Sequence, residues 1–252
     1  METTYYTERE SARSRAFEPI WTGVLDDVFK DVAPYYDRAN VFATLGLLNP
    51  LRRGFLATLE VRPGEKVLDV CAGTNVIGID LLAREPSLEV HAIDRSRAMQ
   101  EVGARAAQAR GMTIRSHIGD VHQLPFPDNH FDVVTLQFAT RHLRAARVIA
   151  EIRRVLKPGG RFYHCDMLRP ESRLVEHAYC AYLAACVGLV SWAFRSAPAA
   201  LACRRYFVEA IRLFYSTEEF SQLLRAHGFT GVAGRPVLLG TVAYHRAVKP
   251  LS

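Results

Sequence analysis

Short apolar runs alternate with helical stretches from Lys66 to about Leu168, and this alternation predicts the fold. Five of the runs read as β-strands: KVLDVCA, LEVHAID, TIRSHIGD, FDVVTLQF and RFYHCDML. Continuous apolar strands that are separated by helices are typical of a parallel sheet covered on both faces. The sequence therefore predicts an α/β fold.

The helix that precedes the fifth predicted strand has a clear end. In LRAARVIAEIRRVLKPGG, apolar residues recur with helical spacing at Val148, Ile152 and Val155–Leu156. Pro158 and the two glycines after it stop the helix, because proline cannot continue it and glycine adopts the usual C-terminal turn.

The two ends of the chain add helices and strands. Downstream, STEEFSQLLRAHGF predicts a helix that Ser216 caps and Gly228 ends. Two further strands are predicted around GVAGRPVL and GTVAYHRA. Upstream, residues 17–60 are predicted to be helical, with breaks at Pro34 and Pro50.

An uncharged segment covers residues 178–194, AYCAYLAACVGLVSWAF. Its length lies at the short limit for a membrane-spanning helix, roughly 17 to 25 residues. It contains Gly188 and Ser191, and it lies inside a domain whose last strands are still downstream. We therefore expect a buried helix, a lid over an apolar pocket or a surface that contacts lipid.

Composition and charge narrow the function classes. The 252 residues are 49% hydrophobic and 23% charged, as in a globular protein, and the N-terminal residues lack the apolar core of a signal peptide. The net charge of +6 comes mainly from scattered arginines, which are typical of a solvated surface or of attraction to an anionic membrane. Nucleic acid is not an expected partner, because the sequence has neither a basic helix nor a zinc-finger pattern.

The five cysteines are an odd number and show no CxxC spacing. This pattern argues against a disulfide framework or a structural zinc site, so we expect no bound metal and a reducing, cytosolic location. Cys71 and Cys165 are expected inside buried strands, where cysteine behaves as a small apolar residue.

Candidate chemistry lies at the ends of the predicted strands, where open α/β sheets bind their ligands. Asp69, Asp94 and Asp120 end the first three strands, and Gly73 lets the backbone of the intervening loop approach a ligand closely. Asp94 is placed to accept hydrogen bonds from ribose hydroxyls, and Asp120 from an adenine amino group.

Two nucleoside cofactors fit this arrangement. NAD requires the full GxGxxG motif, because its pyrophosphate rests on a helix N-terminus. Here the glycines are Gly73 and Gly78, which lack that spacing. S-adenosylmethionine has no phosphate, so the sequence favours S-adenosylmethionine.

The motifs taken together resemble a known family. VLDVCAGT, AID, GDVHQLPFPDNHFD and EIRRVLKPGGRF are similar to class I methyltransferases. The flanks VFKDVAPYYDRAN, FATRHL, YFVEAIRLFYSTEEFSQLLRAHGF and LLGTVAYHRAVK resemble the ubiquinone/menaquinone C-methyltransferase (UbiE) family over about residues 28–249.

The resemblance implies an overall organisation. The fold would be a Rossmann-like class I methyltransferase sheet, mostly parallel with an antiparallel last strand, with N-terminal helices and a helical lid. Residues 1–60 would form an N-terminal helical segment that closes the cofactor site. Residues 61–252 would form the methyltransferase-like domain, with residues 171–215 as the lid.

The resemblance also implies site residues. The Tyr-Asp-x-x-Asn segment of the family corresponds to Tyr36, Asp37 and Asn40, and its Arg-Asn pair to Arg141-His142. The expected catalytic residues are His142, Arg141 and Tyr36. The expected cofactor-binding residues are Asp69, Gly73, Thr74, Asn75, Asp94, Arg95, Asp120, Val121, Gln137, Tyr36 and Asn40.

Two departures from the family pattern affect these expectations. The usual Gly-Thr-Gly-Asp is Gly73-Thr74-Asn75-Val76, and the usual Arg-Asn is Arg141-His142. Asparagine tolerates the left-handed backbone region best among non-glycine residues, so Asn75 is expected to hold the turn. Its side chain is expected to intrude on the cofactor and to alter the cofactor pose.

Three functions follow as hypotheses. The first is a ring C-methyltransferase acting on an apolar prenylated quinol, with His142 as general base. The second is a non-methylating relative that exchanges an amino for a methoxy group and so converts ubiquinone to rhodoquinone. The third is a non-catalytic quinone-binding protein. For the enzyme we expect peripheral association with the cytoplasmic face of the inner membrane, and a homo-oligomer is compatible with the sequence.

Overall fold

The computed structural model describes residues 2–44, 46–193 and 204–252. Its centre is a seven-stranded sheet in the order β3-β2-β1-β4-β5-β7-β6. The strands are β1 (Lys66–Val70), β2 (Glu89–Asp94), β3 (Arg115–Ile118), β4 (Phe131–Gln137), β5 (Leu156–Met167), β6 (Thr230–Val237) and β7 (Val242–Val248). β7 runs antiparallel to both of its neighbours, whereas the pairs from β3 to β5 are parallel. The predicted Rossmann-like sheet with an antiparallel last strand is confirmed.

Helices precede the sheet and cover it. They are α1 (Glu2–Pro19), α2 (Leu25–Val32), α3 (Tyr36–Ala43), α4 (Leu48–Leu56), α5 (Val76–Arg84), α6 (Arg97–Gln108), α7 (Ala145–Val155), α8 (Arg173–Ala193), α9 (Arg204–Arg212) and α10 (Thr217–Ala226). A π-helical turn, Ile20–Val24, joins α1 to α2, and short 3-10 turns cover Thr140–His142 and Leu238–Gly240.

The predicted caps of α10 are confirmed. The Ser216 side chain accepts a hydrogen bond from the Glu219 amide, and the Glu219 carboxylate accepts one from the Ser216 amide at 2.7 Å. This capping box satisfies two backbone donors that the first helical turn leaves without partners. Gly228 ends the segment with a φ of +77°.

Three local predictions need correction. Pro158 and its two glycines do not end the preceding helix, because α7 ends at Val155 and these residues belong to β5. Pro50 does not break a helix but lies in the first turn of α4, where a backbone N–H has no helical partner to lose. Cys71 lies outside β1, which ends at Val70, and has a φ of +54°. It belongs to the loop after the strand.

Alternate residues of each strand face opposite sides of the sheet, so each face has its own core. Val67 packs in one cluster with Leu81 of α5. Leu68 packs in the other cluster with Ile152 of α7 and Phe220 of α10. A third cluster joins the N-terminal segment to α9 through Phe17, Trp21, Leu25, Val28, Tyr206 and Ala210.

The uncharged segment predicted at residues 178–194 forms most of α8, whose described part ends at Ala193. Phe194 and the rest of the predicted lid through residue 203 lie outside the described residues. Among the residues that the structure covers, no helix combines the length and apolar character of a membrane span.

Candidate functional site

Two adjoining cavities lie at the carboxyl ends of the central strands, the edge at which open α/β sheets bind ligands. The larger has a volume of ≈ 350 Å³ and the smaller of ≈ 160 Å³. Cys71 and His142 line both cavities, so these two side chains mark where they adjoin. The larger volume lies in the range of small-molecule sites.

The loop between β1 and α5 turns tightly because several of its residues are in the left-handed region. The φ values are +54° at Cys71, +52° at Gly73 and +59° at Asn75. The Gly73 amide donates a hydrogen bond of 2.9 Å to Asp94 Oδ2 and so ties the loop to the end of β2. The prediction that Asn75 holds this turn is confirmed.

The Asn75 side chain points away from both cavities. It is fully buried, and its Oδ1 accepts a hydrogen bond of 2.9 Å from Gln100 Nε2. It packs beside Gly103, where a Cβ would come within 2.7 Å of the side-chain amide nitrogen of Asn75. The prediction that this side chain intrudes on the cofactor is therefore wrong, because α6 and β3 provide the space that it fills.

The smaller cavity is lined by four of the predicted cofactor residues: Asp94, Arg95, Asp120 and Val121. Both carboxylates are fixed by backbone amides, since Asp94 Oδ1 accepts from Ser96 at 2.8 Å and Asp120 Oδ1 from His122 at 2.9 Å. Burial raises the pKa of Asp94. Burial also disfavours ionisation of Asp120, but the hydrogen bonds from His122 outweigh it and lower the pKa of Asp120.

The N-terminal segment covers the smaller cavity. Glu18, Trp21 and Thr22 lie in its wall. Arg95 Nη1 donates a hydrogen bond of 2.6 Å to the Trp21 carbonyl, and Arg144 forms an ion pair with Glu18. These contacts place the end of α1 over the residues that end β2.

The larger cavity is lined by all the remaining predicted residues except Asn75: Tyr36, Asn40, Asp69, Gly73, Thr74, Gln137, Arg141 and His142. Much of its remaining wall is apolar and comes from α4, α5, α8 and α9, with Leu48, Leu51, Ile77, Leu183, Val187, Phe207 and Ile211. Thr74 Oγ1 donates a hydrogen bond of 2.8 Å to Asp37 Oδ2 and so links the loop to α3.

Asp69 is a buried carboxyl group in the wall of the larger cavity. Its Oδ1 accepts a hydrogen bond of 2.7 Å from Thr135 Oγ1. Burial raises the pKa of Asp69 to about 7, although the bond from Thr135 acts in the opposite direction. A cationic group of a ligand at this position would favour the ionised carboxylate.

Arg141 is held in place by the fully buried Asp166. Arg141 Nη1 lies 2.6 Å from Asp166 Oδ1 and donates to the Phe138 carbonyl at 2.7 Å. The other carboxylate oxygen of Asp166 accepts from the Thr140 amide at 2.7 Å. The guanidinium therefore has a fixed position in the cavity wall, and its positive charge can stabilise an anion there.

His142 is a buried and neutral imidazole. Its Nδ1 lies 2.5 Å from Tyr206 Oη, and the residue is only 7% exposed. Burial, the Arg141 charge and the Arg13 charge all lower the pKa of His142 well below its usual value. Its Nε2 has no hydrogen-bond partner within the part of the chain that the structure describes.

Further buried polar atoms in the wall of the larger cavity also lack a hydrogen-bond partner among the described residues. They include Gln137 Nε2, at the end of β4, and Tyr179 Oη, on α8. Buried polar groups are normally hydrogen-bonded, so such atoms in a cavity wall point to a bound ligand. A carboxylate pair for the nucleoside in one cavity and a carboxyl group, an amide and a glycine loop in the other fit S-adenosylmethionine.

Several residues of the site are not predictable from sequence motifs. Arg13, Trp21 and Tyr206 contact His142 or its neighbours, yet they are distant in sequence and form no motif. Asp37, by contrast, has a sequence signal, because it belongs to the Tyr-Asp-x-x-Asn segment. Cys71 follows directly on the strand-end motif, and this position is the signal that it lines the cavities.

Solved structures share this fold. Phosphoethanolamine N-methyltransferase 2 of Haemonchus contortus, in complex with S-adenosyl-L-methionine, superposes with a TM-score of 0.61 over 80% of this chain and 52% of that chain, at 14% identity. A SAM-dependent methyltransferase from Aquifex aeolicus gives a TM-score of 0.54 over 79% of this chain and 88% of that one, at 19% identity. The sheet and the cavities at the carboxyl ends of its central strands therefore have the class I methyltransferase fold.

Sequence comparison specifies the family. The model of the ubiE/COQ5 methyltransferase family matches residues 20–249, and the chain belongs to that family. The demethylmenaquinone methyltransferase of Symbiobacterium thermophilum is 33% identical over 88% of this chain and 91% of its own length. The ubiquinone/menaquinone biosynthesis C-methyltransferase UbiE of Dinoroseobacter shibae is 31% identical over 97% and 95%.

Proposed function

We propose that this methyltransferase transfers a methyl group to a ring carbon of an apolar prenylated quinol. The observation that carries the proposal is the larger cavity, in which Arg141 and His142 lie beside the cofactor loop and share the wall with apolar side chains of α4, α5, α8 and α9. An aromatic ring with oxygen substituents matches both parts of this wall. The curated relatives are named for demethylmenaquinone and for ubiquinone/menaquinone biosynthesis, which supports a quinol substrate.

The cofactor would extend through both cavities. Asp94 would accept hydrogen bonds from the ribose hydroxyls. Arg95, Asp120 and Val121 would surround the adenine in the smaller cavity. In the larger cavity, Asp69, Gly73, Thr74 and Gln137 would hold the methionine portion, with Tyr36 and Asn40 closing over it. Asp69 would carry a negative charge beside the methionine ammonium group, which lowers the pKa of a buried carboxyl.

The reaction requires an electron-rich ring carbon in line with the electrophilic methyl group that the bound cofactor supplies. The new carbon–methyl bond would form as the sulfur–methyl bond breaks, and the ring carbon would then lose its proton to solvent. The Arg141 guanidinium would stabilise negative charge on a ring oxygen, because a fixed cation stabilises a nearby anion most strongly in a poorly hydrated site. The apolar walls would exclude water from the ring. Residues of α3 and α8 would hold the carbon near attack distance, roughly 3 to 3.5 Å.

The direct test is to incubate the purified enzyme with S-adenosylmethionine and demethylmenaquinol or a demethylated ubiquinol precursor. We expect each accepted quinol to gain the mass of one CH2 group. Isotopic label on the cofactor methyl should appear on the ring. Absence of label from every quinol tested, with cofactor binding intact, would contradict the proposal.

The second candidate is the amino-for-methoxy exchange that converts ubiquinone to rhodoquinone. The observation that favours it is His142, which replaces the family asparagine next to Arg141. The same fold also occurs in the [4+2]-cyclase SpnF, with a TM-score of 0.51 at 19% identity, so the fold by itself does not require methyl transfer. Mass spectrometry of the quinone pool of cells with and without the protein separates the two products.

We also propose that the enzyme takes its substrate from the cytoplasmic face of the inner membrane. Leu47 and Leu238 line the larger cavity and are each 47% exposed, so they belong to its rim. Leu239, next to Leu238, is 81% exposed and has a φ of +58°. An exposed apolar rim suits contact with lipid, and the net charge of +6 suits anionic headgroups.

Vesicle flotation tests this surface. With vesicles that contain phosphatidylglycerol we expect salt-sensitive binding, and with pure phosphatidylcholine weaker binding. Leu239→Ser should reduce binding. Leu251→Ser is the matched control. Leu251 is 83% exposed, but it lies near Gly159 at the start of β5, at the end of the sheet opposite to the cavities. Equal loss in both variants would contradict the assignment of the rim.

A further inference from the structure

Trp21, Tyr206 and His142 form a continuous hydrogen-bonded chain. Trp21 Nε1 donates to Tyr206 Oη at 3.0 Å, and Tyr206 Oη lies 2.5 Å from His142 Nδ1. The three residues come from the N-terminal segment, from α9 and from the turn after β4. All three are buried, with exposures of 7% or less.

The donor and acceptor roles along this chain follow from chemistry. An indole N–H can only donate, so Tyr206 Oη accepts from Trp21. A phenol is a stronger donor than an imidazole N–H, and an imidazole nitrogen is a stronger acceptor than a phenol oxygen. The bond from Trp21 polarises the Tyr206 hydroxyl further in the same direction. Tyr206 therefore donates to His142 Nδ1.

With Nδ1 as an acceptor, a neutral His142 carries its proton on Nε2. Neutrality is supported by burial and by the two cations that face the ring, Arg141 on the same turn and Arg13 from α1. Phe29 and Phe207 pack edge-on against the ring, with centroids 6.4 Å and 5.7 Å away. The unpartnered Nε2 of the wall is then an N–H donor.

We propose that His142 acts through Nε2–H as a hydrogen-bond donor to a ligand oxygen, and that Trp21 and Tyr206 are positioning residues that fix this tautomer. The inference rests on the proposed function only in naming the acceptor, a ring oxygen of the quinol. Arg141 and His142 then hold that oxygen together, as a cation and a neutral donor. His142 does not remove the ring proton, because the lone pair of its unprotonated nitrogen, Nδ1, already accepts a hydrogen bond from Tyr206.

Arg13 completes the support of this turn. Its side chain is fully buried, and Nη2 donates to the carbonyls of Arg141 at 3.0 Å and Leu143 at 3.1 Å. These carbonyls flank His142 in the chain, so α1 fixes its backbone while Tyr206 fixes its ring. Both supports come from elements that cover the cavities.

The experiment is nitrogen-15 NMR of the imidazole in the full-length protein, in which two-bond nitrogen–proton couplings distinguish the tautomers. The His142 signal is assigned by its absence from His142→Gln. We expect the Nε2–H tautomer in the unaltered protein. In Tyr206→Phe a substantial Nδ1–H population should appear, and in Trp21→Phe a smaller one. Tyr163→Phe removes another buried tyrosine hydroxyl, one that accepts from the Glu60 amide in a different core cluster, and should leave the tautomer unchanged.

The outcomes separate this inference from the proposed function. An Nδ1–H tautomer or a protonated ring in the unaltered protein at neutral pH would overturn it, whatever the substrate proves to be. If Tyr206→Phe does not fold, the unaltered protein and Trp21→Phe still decide the tautomer. Titration with 1,4-naphthoquinone should move the Nε2–H proton signal downfield. If that shift is missing while the tautomer is as expected, the proposed substrate fails and the assignment of Trp21 and Tyr206 stands.

Discussion

Asn75 and Gln100 are joined by a buried hydrogen bond of 2.9 Å on the side of the cofactor loop that faces away from the cavities. Gln100 Nε2 also donates to the Gly73 carbonyl at 3.0 Å, so one amide fixes two residues of the loop. Asn75 thus stabilises the loop from behind, and its side chain has no contact with the space for the cofactor.

Asn75→Gly should therefore leave cofactor affinity and product unchanged. Loss of the hydrogen bond costs about 1 kcal/mol, and glycine relieves about as much left-handed strain, so the free energy of unfolding should change little. Asn75→Ala loses the bond without relieving the strain, which should lower that free energy by about 1 kcal/mol. Urea unfolding and calorimetric titration with S-adenosylmethionine measure these effects. A changed product in Asn75→Gly would show that the residue tunes the chemistry.

Asp94→Ala should weaken binding of S-adenosylmethionine by roughly 1.5 to 3 kcal/mol, because the ribose loses a charged acceptor. Asp94 also accepts from the Gly73 amide, so part of the loss would come from the loop. Asp94→Asn keeps an acceptor oxygen and should show a smaller loss. Calorimetry on folded variants gives the values, and an unaltered affinity in Asp94→Ala would remove the residue from the site.

Asp69 should make the ligand-free protein less stable as the pH rises. Its pKa is raised from 3.8 to about 7, so between these values the folded state holds a proton that the unfolded state has lost. The free energy of unfolding therefore falls across this window, by an amount on the order of 4 kcal/mol, and stays lower above it.

Asp69→Asn removes this effect. Its melting temperature should exceed that of the unaltered protein at about pH 8 and approach it at about pH 4, where folded Asp69 is protonated and the penalty is small. Asp120→Asn is the matched control, because the pKa of Asp120 is lowered and its contribution has the opposite sign. A stability difference for Asp69→Asn that does not depend on pH would contradict a buried, proton-binding carboxyl.

His142 variants should separate a donor from a base. The amide nitrogen of His142→Gln can occupy the place of Nε2 and donate, but it cannot take a proton. We expect His142→Gln to keep a substantial part of kcat and His142→Leu to lose more than tenfold, since one lost donor hydrogen bond in the transition state is worth more than about 1.4 kcal/mol. If both variants were equally inactive while cofactor binding stayed intact, the result would favour His142 as a general base.

Sequence patterns predict the elements of this fold because local order determines them. The apolar runs of β1 to β5 and the Ser216 cap of α10 are set by residues within one turn or strand. The carboxyl ends of parallel strands meet at one edge, so the order of residues alone places Asp69, Asp94 and Asp120 close together. The predictions for Pro50 and Cys71 are wrong because the boundaries of an element depend on its packing.

Other features could be decided only in three dimensions. The direction of the Asn75 side chain depends on the space beside Gly103 and on Gln100, which belong to α6. The role of His142 depends on Tyr206 and Trp21, sixty-four positions downstream and more than a hundred upstream. The sequence by itself determined the fold class and the strand-end carboxylates, which follow from local periodicity. The tertiary structure decided which way each buried polar side chain faces, because burial obliges such a group to find its partner wherever the fold brings one within hydrogen-bonding distance.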